Sequence, residues 1–330
     1  MKWTAESVTP MHPDKICDRI SDGILDACLT IDPYSRVAAE AMGGHGVVCI
    51  TGELTTNAYI DIRGIVEKAV GKPYGVQINI VKQSNEIAQG VDIGGAGDQG
   101  VMVGFACRET PELMPKEVML ARRLGQFIFA RAPYDGKTQI TWDSDTDEVG
   151  TVIASFQNTT VVQLEGYVKE WLSDKKVASD LKIHCNPAGE WKMGGFDADT
   201  GLTGRKIVVD QYGLRCPIGG GAFSGKDATK VDRSGAYIAR KKAITILSEN
   251  LDAKEVTFYL GYAIGIAEPV WAKALMIMND GTKKEIDYKE GLEVFTPNKI
   301  IEILKLYEPK FAKTAEWGHF GNGFDWDVGF

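Results

Sequence analysis

The sequence predicts an α+β fold made of three similar units, and three observations lead to that prediction. Amphipathic helices alternate with strand-like runs along the whole chain. The order helix, strand, strand, helix, strand is complete in the first two thirds and recurs in part in the last third. The helices that open the units begin near positions 13, 115 and 232, so the period is close to a third of the 330 residues.

The first unit opens with a helix predicted from Pro13 to about Leu29, because apolar residues return on one face at helical spacing. Strands are expected over 36–42 and 47–56, with a glycine-rich turn between them. A helix near 59–70 and a strand near 76–81 complete the unit.

A row of aspartates at i, i+4 spacing runs along the same helix, and we call it the acidic stripe: Asp14, Asp18, Asp22 and Asp26. A stripe of this kind is usually a solvated face, and we interpret Asp26 in that way. Asp14 differs because it lies in the first turn, where free N–H groups and the helix dipole attract anions. Next to His12 and Lys15, its carboxylate could hold a metal against a phosphate.

The second unit begins at Pro115, since proline suits a first helical turn, and its helix is expected to reach about Arg131. Strands near 138–142 and 150–157, a helix near 161–172 and a strand near 181–185 follow. The third unit has a helix from about 232 to 249, strands near 256–264 and 272–278, and a helix over 297–306. We expect domains over 1–105, 112–194 and 195–330, with antiparallel sheets covered by helices on one face.

Composition and charge exclude several classes of protein. The net charge of −8, from 37 basic and 45 acidic residues, argues against a nucleic-acid-binding protein. The amino terminus has no export signal, and the longest apolar stretch is too short to span a membrane. The six cysteines form no C-x-x-C pair, which is typical of reduced thiols in a cytoplasmic protein.

Two glycine-rich stretches contain more glycine than packing requires. One is 94–100, where Asp98 and Gln99 stand among four glycines. The other, 219–227, nearly matches the P-loop pattern up to Lys226, but Asp227 replaces the hydroxyl residue that binds magnesium. For 94–100 the alternatives are a flexible loop and a backbone brought close to a ligand. For 219–227 the alternatives are a P-loop nucleoside triphosphatase and a different glycine cradle with Lys226 on a phosphate. We favour the cradle, because N–H groups and one ammonium suit an oxyanion in any fold.

Cationic side chains occur repeatedly in glycine-rich settings of this acidic protein: Lys137, Arg205, Lys206, Lys226 and Lys230. Asp14 and Asp232 are candidate ligands for magnesium, which favours a few oxygens together with phosphate and water. Each lysine alone is more often a surface charge. Together, the set predicts a polyphosphate site with a divalent metal.

Long motifs in a fixed order resemble those of the S-adenosylmethionine synthetase (methionine adenosyltransferase) family. The resemblance covers nearly the whole chain, and its motifs lie at 12–15 (His-Pro-Asp-Lys), 95–100, 201–206, 219–227, 230–234, 263–269 and 318–321. Met11 stands where the family has glycine. The segment from Gln89 to Gly94 is shorter than the family's active-site lid, so the chain resembles a short-loop form.

The resemblance implies a fold and a reaction. The fold would have three similar two-layer domains around a pseudo-threefold axis, in a homodimer or a dimer of dimers with active sites at the subunit interface. The enzyme would transfer the adenosyl group of ATP to the sulfur of L-methionine and then hydrolyse the triphosphate to phosphate and diphosphate. It would use two Mg2+ per site and K+, in one-carbon metabolism. A thioether has no proton to lose, so catalysis would rest on alignment and charge stabilisation.

The resemblance also implies roles for individual residues. Those expected to act in catalysis are His12, Lys137, Arg205, Lys206 and Lys226. These five also bind ATP, together with Asp135, Glu190, Trp191, Asp199, Ala222 and Ile264. Methionine would be bound by Glu53, Gln89, Asp98, Asp199 and Lys230. Asp14 and Asp232 would bind magnesium, and Glu40 would bind potassium.

Some positions depart from the family pattern. Glu190 reverses a charge beside the adenine, whereas Trp191 keeps an aromatic ring that can stack on it. Thr200 replaces a common cysteine. Two other classes were weighed: a Mg-ATP phosphotransferase, which would need a true P-loop, and a regulatory or scaffold subunit without activity. The retained charged residues argue against the second of these.

Overall fold

The computed structural model of the protein describes residues 1–83 and 94–330. Gln89 and the shortened segment that follows it lie outside the described residues. The amino-terminal elements are β1 (Lys2–Val8), α1 (Pro13–Ile31), β2 (Arg36–Gly44), β3 (Val47–Thr55), α2 (Ile62–Val70), β4 (Gly75–Val81) and β5 (Gly100–Cys107). The central elements are α3 (Lys116–Phe129), β6 (Gly136–Asp143), β7 (Glu148–Phe156), α4 (Val161–Leu172) and β8 (Val177–Cys185).

The last third begins with a 3-10 turn at Gly195–Asp197 and continues with β9 (Gly201–Leu202), α5 (Ile207–Asp210), α6 (Val231–Glu249), β10 (Ala253–Tyr262), β11 (Trp271–Met278), β12 (Lys283–Asp287), a second 3-10 turn at Leu292–Phe295, α7 (Pro297–Leu304) and α8 (Phe311–Trp317). Each predicted helix and strand overlaps one of these elements. Sequence reasoning missed β1, β5, β9, β12, α5 and α8. Most of these are short or lack a clear apolar period.

The strands form three four-stranded sheets that exchange strands along the chain. The sheet orders are β4-β3-β2-β9, β1-β6-β7-β8 and β12-β11-β10-β5. Each unit therefore supplies three consecutive strands of one sheet, and the fourth strand comes from a distant part of the chain. Three such sheets, each packed against helices, confirm the three-domain α+β fold. The domain limits 1–105, 112–194 and 195–330 stay a prediction.

The expectation of antiparallel sheets was only partly correct. β3 and β4 pair in parallel, and so do β7 and β8. The reason is the connection: α2 or α4 lies between the two strands of each pair, and a helical crossover returns the chain in the same direction. β11 and β12 are joined by a tight turn and pair antiparallel.

The acidic stripe of α1 is not a solvated face, and this corrects the interpretation made from spacing. Asp18 and Asp22 are fully buried. Asp18 Oδ1 accepts a hydrogen bond from Gly204 N at 2.8 Å, and Asp22 Oδ1 accepts one from Gly225 N at 2.8 Å. A buried carboxylate requires such partners, because an unpaired one would be costly. The stripe therefore holds segments from the last third of the chain against α1.

Asp26 extends the same arrangement. Its two oxygens accept hydrogen bonds from Phe311 N at 2.9 Å and Ala312 N at 2.8 Å, the first N–H groups of α8. The carboxylate thus satisfies donors that a helix start leaves free. Burial raises the pKa of Asp26 to about 6. The prediction that Asp26 faces solvent was wrong, because α8 covers it.

A polar network is buried where α6 meets the carboxyl-terminal segment. His319 Nδ1 and the Tyr237 hydroxyl lie 2.7 Å apart, and Trp326 Nε1 donates to His319 O at 2.7 Å. Burial, and then the charge of Arg233, hold the pKa of His319 well below 6.5. The folded ring stays neutral while the unfolded ring gains a proton below that value. The stability contributed by the neutral ring is therefore present above pH 6.5 and lost as the pH falls below it.

This linkage predicts a measurable pH effect. His319→Gln should remove about 2 kcal/mol of the difference in unfolding free energy between pH 7 and pH 5, because glutamine does not titrate. Denaturant unfolding at both pH values measures it. Trp326→Phe is the control, since it loses the indole hydrogen bond but keeps the imidazole, and it should retain the wild-type difference. An unchanged pH dependence in His319→Gln would contradict the assignment.

Candidate active site

The strongest cluster of sequence-predicted residues surrounds the first turn of α1. Asp14 is fully buried and accepts hydrogen bonds from Leu202 N at 3.0 Å and Lys206 Nζ at 2.5 Å. Arg205 Nε lies 3.1 Å from the other oxygen of Asp14. Burial by itself would raise the pKa of Asp14, but the bonds from Lys206 and Leu202 outweigh it and lower that pKa. The carboxylate is therefore ionised and holds two cations at a helix amino terminus.

His12 precedes this helix as its N-cap. Its Nδ1 accepts a hydrogen bond from Asp14 N at 3.2 Å. Burial, followed by the charge of Lys206, lowers the pKa of His12 to about 3. A neutral ring that accepts at Nδ1 carries its proton on Nε2. His12 is thus a neutral donor, which suits a site that must stabilise an anion without taking up a proton.

A second cluster lies on the glycine-rich segment 219–227. Lys226 Nζ donates to Asp232 Oδ2 at 2.7 Å, so the end of this segment is joined to the first turn of α6. A Cβ on Gly221 would lie 1.8 Å from Asp232 Oδ1, so this position needs glycine. Lys230 instead binds Asp227, with 2.6 Å between Nζ and Oδ1. The Lys226–Asp232 pair repeats the lysine–aspartate arrangement seen at Lys206 and Asp14.

The two clusters are in contact. A Cβ on Gly204 would lie 2.5 Å from the Cβ of Ala222, so the segment carrying Arg205 and Lys206 lies against the one carrying Lys226. The segment 219–227 follows α5 and precedes α6, and no strand of the described chain leads directly into it. This does not match the strand–loop–helix context of a P-loop. The structure therefore joins four predicted phosphate-binding residues, Arg205, Lys206, Ala222 and Lys226, in one place.

Asp135 and Lys137 lie at the start of β6, next to β1. Asp135 Oδ2 accepts a hydrogen bond from Gly195 N at 2.8 Å, and burial raises the pKa of Asp135. Lys137 is half exposed, with its Nζ 4.0 Å from Glu6. The charge of Lys137 lowers the pKa of His12 and the charge of Asp199 raises it, after the larger effects of burial, Lys206 and Asp14. Asp199 is exposed and accepts from Thr200 N at 2.7 Å.

Glu190 and Trp191 lie beyond β8. Glu190 Oε1 accepts a hydrogen bond from Val161 N at 3.1 Å, so it satisfies the first N–H group of α4. Trp191 Nε1 donates to Asn186 at 3.3 Å. The reversed charge at Glu190 thus has a structural partner at a helix amino terminus, where a carboxylate is favourable.

The remaining predicted residues lie on exposed sheet positions or loops. Glu40 is exposed on β2, and Glu53 is partly exposed on β3. β2 also forms a bridge from Ala38 to Lys226, which brings this sheet next to the second cluster. Asp98 accepts from Gln99 N at 2.7 Å.

The loop that carries Ile264 is joined to the glycine-rich segment 94–100. Ala96 N donates to Ile266 O at 3.1 Å, and Gly265 N donates to Ala96 O at 2.8 Å. Ile264 itself is 56% exposed. An apolar side chain left open to solvent beside a glycine loop is available for contact with a ligand.

Sequence reasoning missed a buried group of charged residues on and next to α1. Lys15 is buried, and its Nζ donates to both oxygens of Asp210 at 2.8 and 2.7 Å. Asp18 lies 3.1 Å from the same ammonium. The signal available in the sequence was the acidic stripe, which lies opposite an apolar stripe on the same helix. Both stripes of α1 are largely buried, although the spacing of the aspartates does not by itself indicate it.

The fold and site define a three-domain α+β protein in which two lysines on adjoining glycine-rich segments each pair with an aspartate in the first turn of a helix. Comparison with family models finds the S-adenosylmethionine synthetase N-terminal domain at residues 1–88, the central domain at 93–191 and the C-terminal domain at 193–328. The chain therefore belongs to the S-adenosylmethionine synthetase family, whose members are transferases.

Individual relatives agree with the family models over almost their whole length. The S-adenosylmethionine synthase of Myxococcus xanthus (strain DK1622) is 40% identical over 98% of this chain and 92% of its own. That of Petrotoga mobilis is 41% identical over 99% and 96%, and that of Sulfurovum sp. is 41% identical over 98% and 95%. The aligned span of 367 residues with the first exceeds the 330 of this chain, so that relative has residues with no counterpart here.

Proposed function

We propose that this protein is a methionine adenosyltransferase that transfers the adenosyl group of ATP to the sulfur of L-methionine and then splits the triphosphate into phosphate and diphosphate. The observation that carries the proposal is the packing of the segment that carries Lys206 against the segment that carries Lys226, where Gly204 meets Ala222, with each lysine paired to an aspartate. Two cations on adjoining glycine-rich segments fit a chain of three phosphates. Family membership supports the same reaction.

The proposed chemistry needs no general base, because the methionine sulfur attacks the C5′ carbon without losing a proton. The protein must align the sulfur and stabilise the negative charge on the departing triphosphate. His12 suits this task, since its neutral ring presents an Nε2 proton that can be donated to the leaving oxygen. Lys206, Lys226 and Arg205 would supply positive charge along the phosphates, and Lys137, at the start of β6, would add a further positive charge.

The carboxylates of Asp14 and Asp232 could each bind magnesium, but each now contacts a lysine. The described part of the chain contains no group of three or more metal-ligating side chains. A metal here would thus be held by one carboxylate together with phosphate and water, which is how Mg2+ is usually bound. Bound Mg2+ would neutralise phosphate charge. We propose Asp14 and Asp232 as its ligands at two positions, and Glu40 as a ligand of K+.

The substrate contacts are proposals on the same basis. Adenine would lie near Trp191 and Ile264, with Glu190 at the margin and Asp135 on the nucleotide. Methionine would be bound by Glu53, Asp98, Asp199 and Lys230, and by Gln89 outside the described residues. The burial of Lys230 against Asp227 supports a role for its charge in shaping the site rather than in long-range attraction of substrate.

We also propose a homodimer, or a dimer of dimers, with the active site at the interface. The supporting feature is a set of exposed apolar side chains on strands of two sheets. Val101, Gly261 and Trp271 are aligned across β5, β10 and β11, and Val101 and Trp271 are 46% and 42% exposed. Met42 is similarly exposed on β2. A second copy would remove this apolar surface from water.

The cytoplasm is the proposed location. All six cysteines are free, and five of them are buried. Thiols that remain unpaired are typical of a reducing compartment. Within residues 1–83 and 94–330, no helix has the length and apolar character to cross a membrane.

The test is direct. Purified protein with ATP, L-methionine, Mg2+ and K+ should form S-adenosylmethionine, phosphate and diphosphate, identified by mass and by phosphate assay. Omitting methionine should abolish the sulfonium product, and EDTA should abolish turnover. Folded protein that produces only ADP or AMP from ATP would support the phosphotransferase alternative and contradict the proposal.

A further inference from the structure

A bidentate ion pair is buried between α1 and α6. The two guanidinium nitrogens of Arg233 donate to the two oxygens of Asp22, each at 2.8 Å, and both side chains are 0% exposed. A buried pair of this kind is weak evidence of stability, because desolvating both charges can cost as much as their attraction returns. Its other contacts therefore indicate what it does.

The same two side chains bind backbone groups of two consecutive residues, Gly225 and Lys226, in the segment 219–227. Asp22 Oδ1 accepts from Gly225 N at 2.8 Å, and Arg233 Nη1 donates to Lys226 O at 3.0 Å. On the other side, Gly225 O accepts from Ala39 N at 3.0 Å. The backbone at Lys226 is thus held from α1, from α6 and from β2.

Glycine at position 225 allows the backbone of this segment to lie close to β2. Its φ is +81°, and a Cβ at that position would lie 1.9 Å from Ala39 O. Lys226 itself is different, because its side chain is partly exposed and its Nζ contacts only Asp232 among the described hydrogen-bond partners. The backbone is therefore fixed, while the ammonium can exchange a carboxylate for a phosphate.

Arg233 is itself anchored by further contacts. Its Nε donates to the Tyr237 hydroxyl at 3.1 Å, and Nη2 lies 3.3 Å from Thr314 Oγ1. Its guanidinium carbon also lies 4.4 Å from the centre of the Phe311 ring. The ion pair raises the pKa of Arg233, so this cation stays charged.

We propose that Asp22 and Arg233 are positioning residues that fix the Gly225–Lys226 peptide and thereby set the affinity of the active site for the triphosphate group. This rests on the proposed function, since it names the triphosphate as the ligand of Lys226. Neither residue would touch substrate. The ion pair acts by holding one phosphate-binding ammonium at the right distance from the other, on the Arg205–Lys206 segment.

The test compares triphosphate binding with methionine binding. Inorganic tripolyphosphate is titrated into wild type, Asp22→Asn and Arg233→Lys by calorimetry, and KM is measured for ATP and for methionine. A misplacement of about 1 Å in an active-site group can lower the rate of an enzyme about 100-fold. We therefore expect the tripolyphosphate Kd and the KM for ATP to rise about tenfold or more. The KM for methionine should stay within about twofold of the wild-type value. A twofold difference corresponds to less than about 0.5 kcal/mol of binding free energy.

Asp26→Asn is the matched control. It changes a neighbouring carboxylate of the acidic stripe that also accepts from backbone N–H groups, but those belong to α8. It should lower the thermal midpoint and leave the tripolyphosphate Kd unchanged. Tyr237→Phe covers the case in which the charge variants fold poorly. It removes one hydrogen bond from Arg233 and should raise the Kd about threefold.

Two results would overturn the proposal: a Kd for tripolyphosphate unchanged in folded Asp22→Asn and in Tyr237→Phe, or equal rises in the KM values for ATP and methionine. A wild-type protein that binds tripolyphosphate but forms no S-adenosylmethionine would contradict the proposed function alone. The comparison of tripolyphosphate Kd values would still decide the role of the ion pair.

Discussion

Replacing Asp14 by asparagine should lower the turnover of S-adenosylmethionine formation about 100- to 1000-fold, the usual effect of removing one preorganised charge-stabilising group. Asparagine is close in shape and can still accept the hydrogen bond from Leu202 N. It loses the negative charge that attracts Lys206 and Arg205 and that would bind Mg2+. The protein should therefore fold while its phosphate-binding cations lose their common partner.

The measurement is kcat at saturating ATP and methionine, repeated across a range of Mg2+ concentrations. We expect the Mg2+ concentration that gives half-maximal rate to increase in Asp14→Asn. Asp32→Asn is the control, because Asp32 ends the same helix in an exposed turn and accepts from Asn57 N at 2.9 Å. Wild-type turnover in Asp14→Asn, with an unchanged Mg2+ requirement, would remove Asp14 from the site.

The largest effect on stability is expected for Gly104→Ala. Gly104 lies on β5, and a Cβ there would lie 2.0 Å from the carbonyl carbon of Ala239 in α6. The obstructing atoms are backbone, so the helix must move away from the strand rather than a side chain rotating aside. Overpacking of this kind costs about 1–3 kcal/mol or more, and we expect the upper end here because β5 is the donated strand of its sheet.

Thermal unfolding measures the effect, and Gly150→Ala is the matched control. Gly150 is also a strand glycine, on β7, and a Cβ there meets nothing within 4 Å. It should be neutral or slightly stabilising, because alanine restricts the unfolded chain more than glycine does. Equal midpoints for the two variants would contradict the close packing of β5 on α6.

Much of the fold could be predicted because it depends on local pattern. The helix predicted near 161–172 is present as Val161–Leu172, and Thr160 and Gln163 form a capping box at its start. β1 and β5 were missed for a different reason. Each pairs with strands from another part of the chain, and pairing partners leave no periodic signal in the strand itself.

The candidate site divides in the same way. The sequence identified candidate phosphate-binding and metal-binding residues, because motifs and residue types are local properties. These are His12, Asp14, Lys206, Lys226 and Asp232. The sequence did not indicate that Lys206 and Lys226 each contact a carboxylate. The pairing of Lys206 with Asp14 joins residues that are 192 positions apart, and the pairing of Lys226 with Asp232 depends on the turn that leads into α6.

The sequence by itself determined the family, the three α+β units and the residues that carry charge near glycine. Only the tertiary structure decided that the acidic stripe is buried and that strands are exchanged between the units. Asp22 and Gly225 are 203 positions apart, and Asp26 and Ala312 are 286 apart. A carboxylate at helical spacing looks the same whether it faces water or a distant backbone N–H group, because burial is decided by the segments that fold against it.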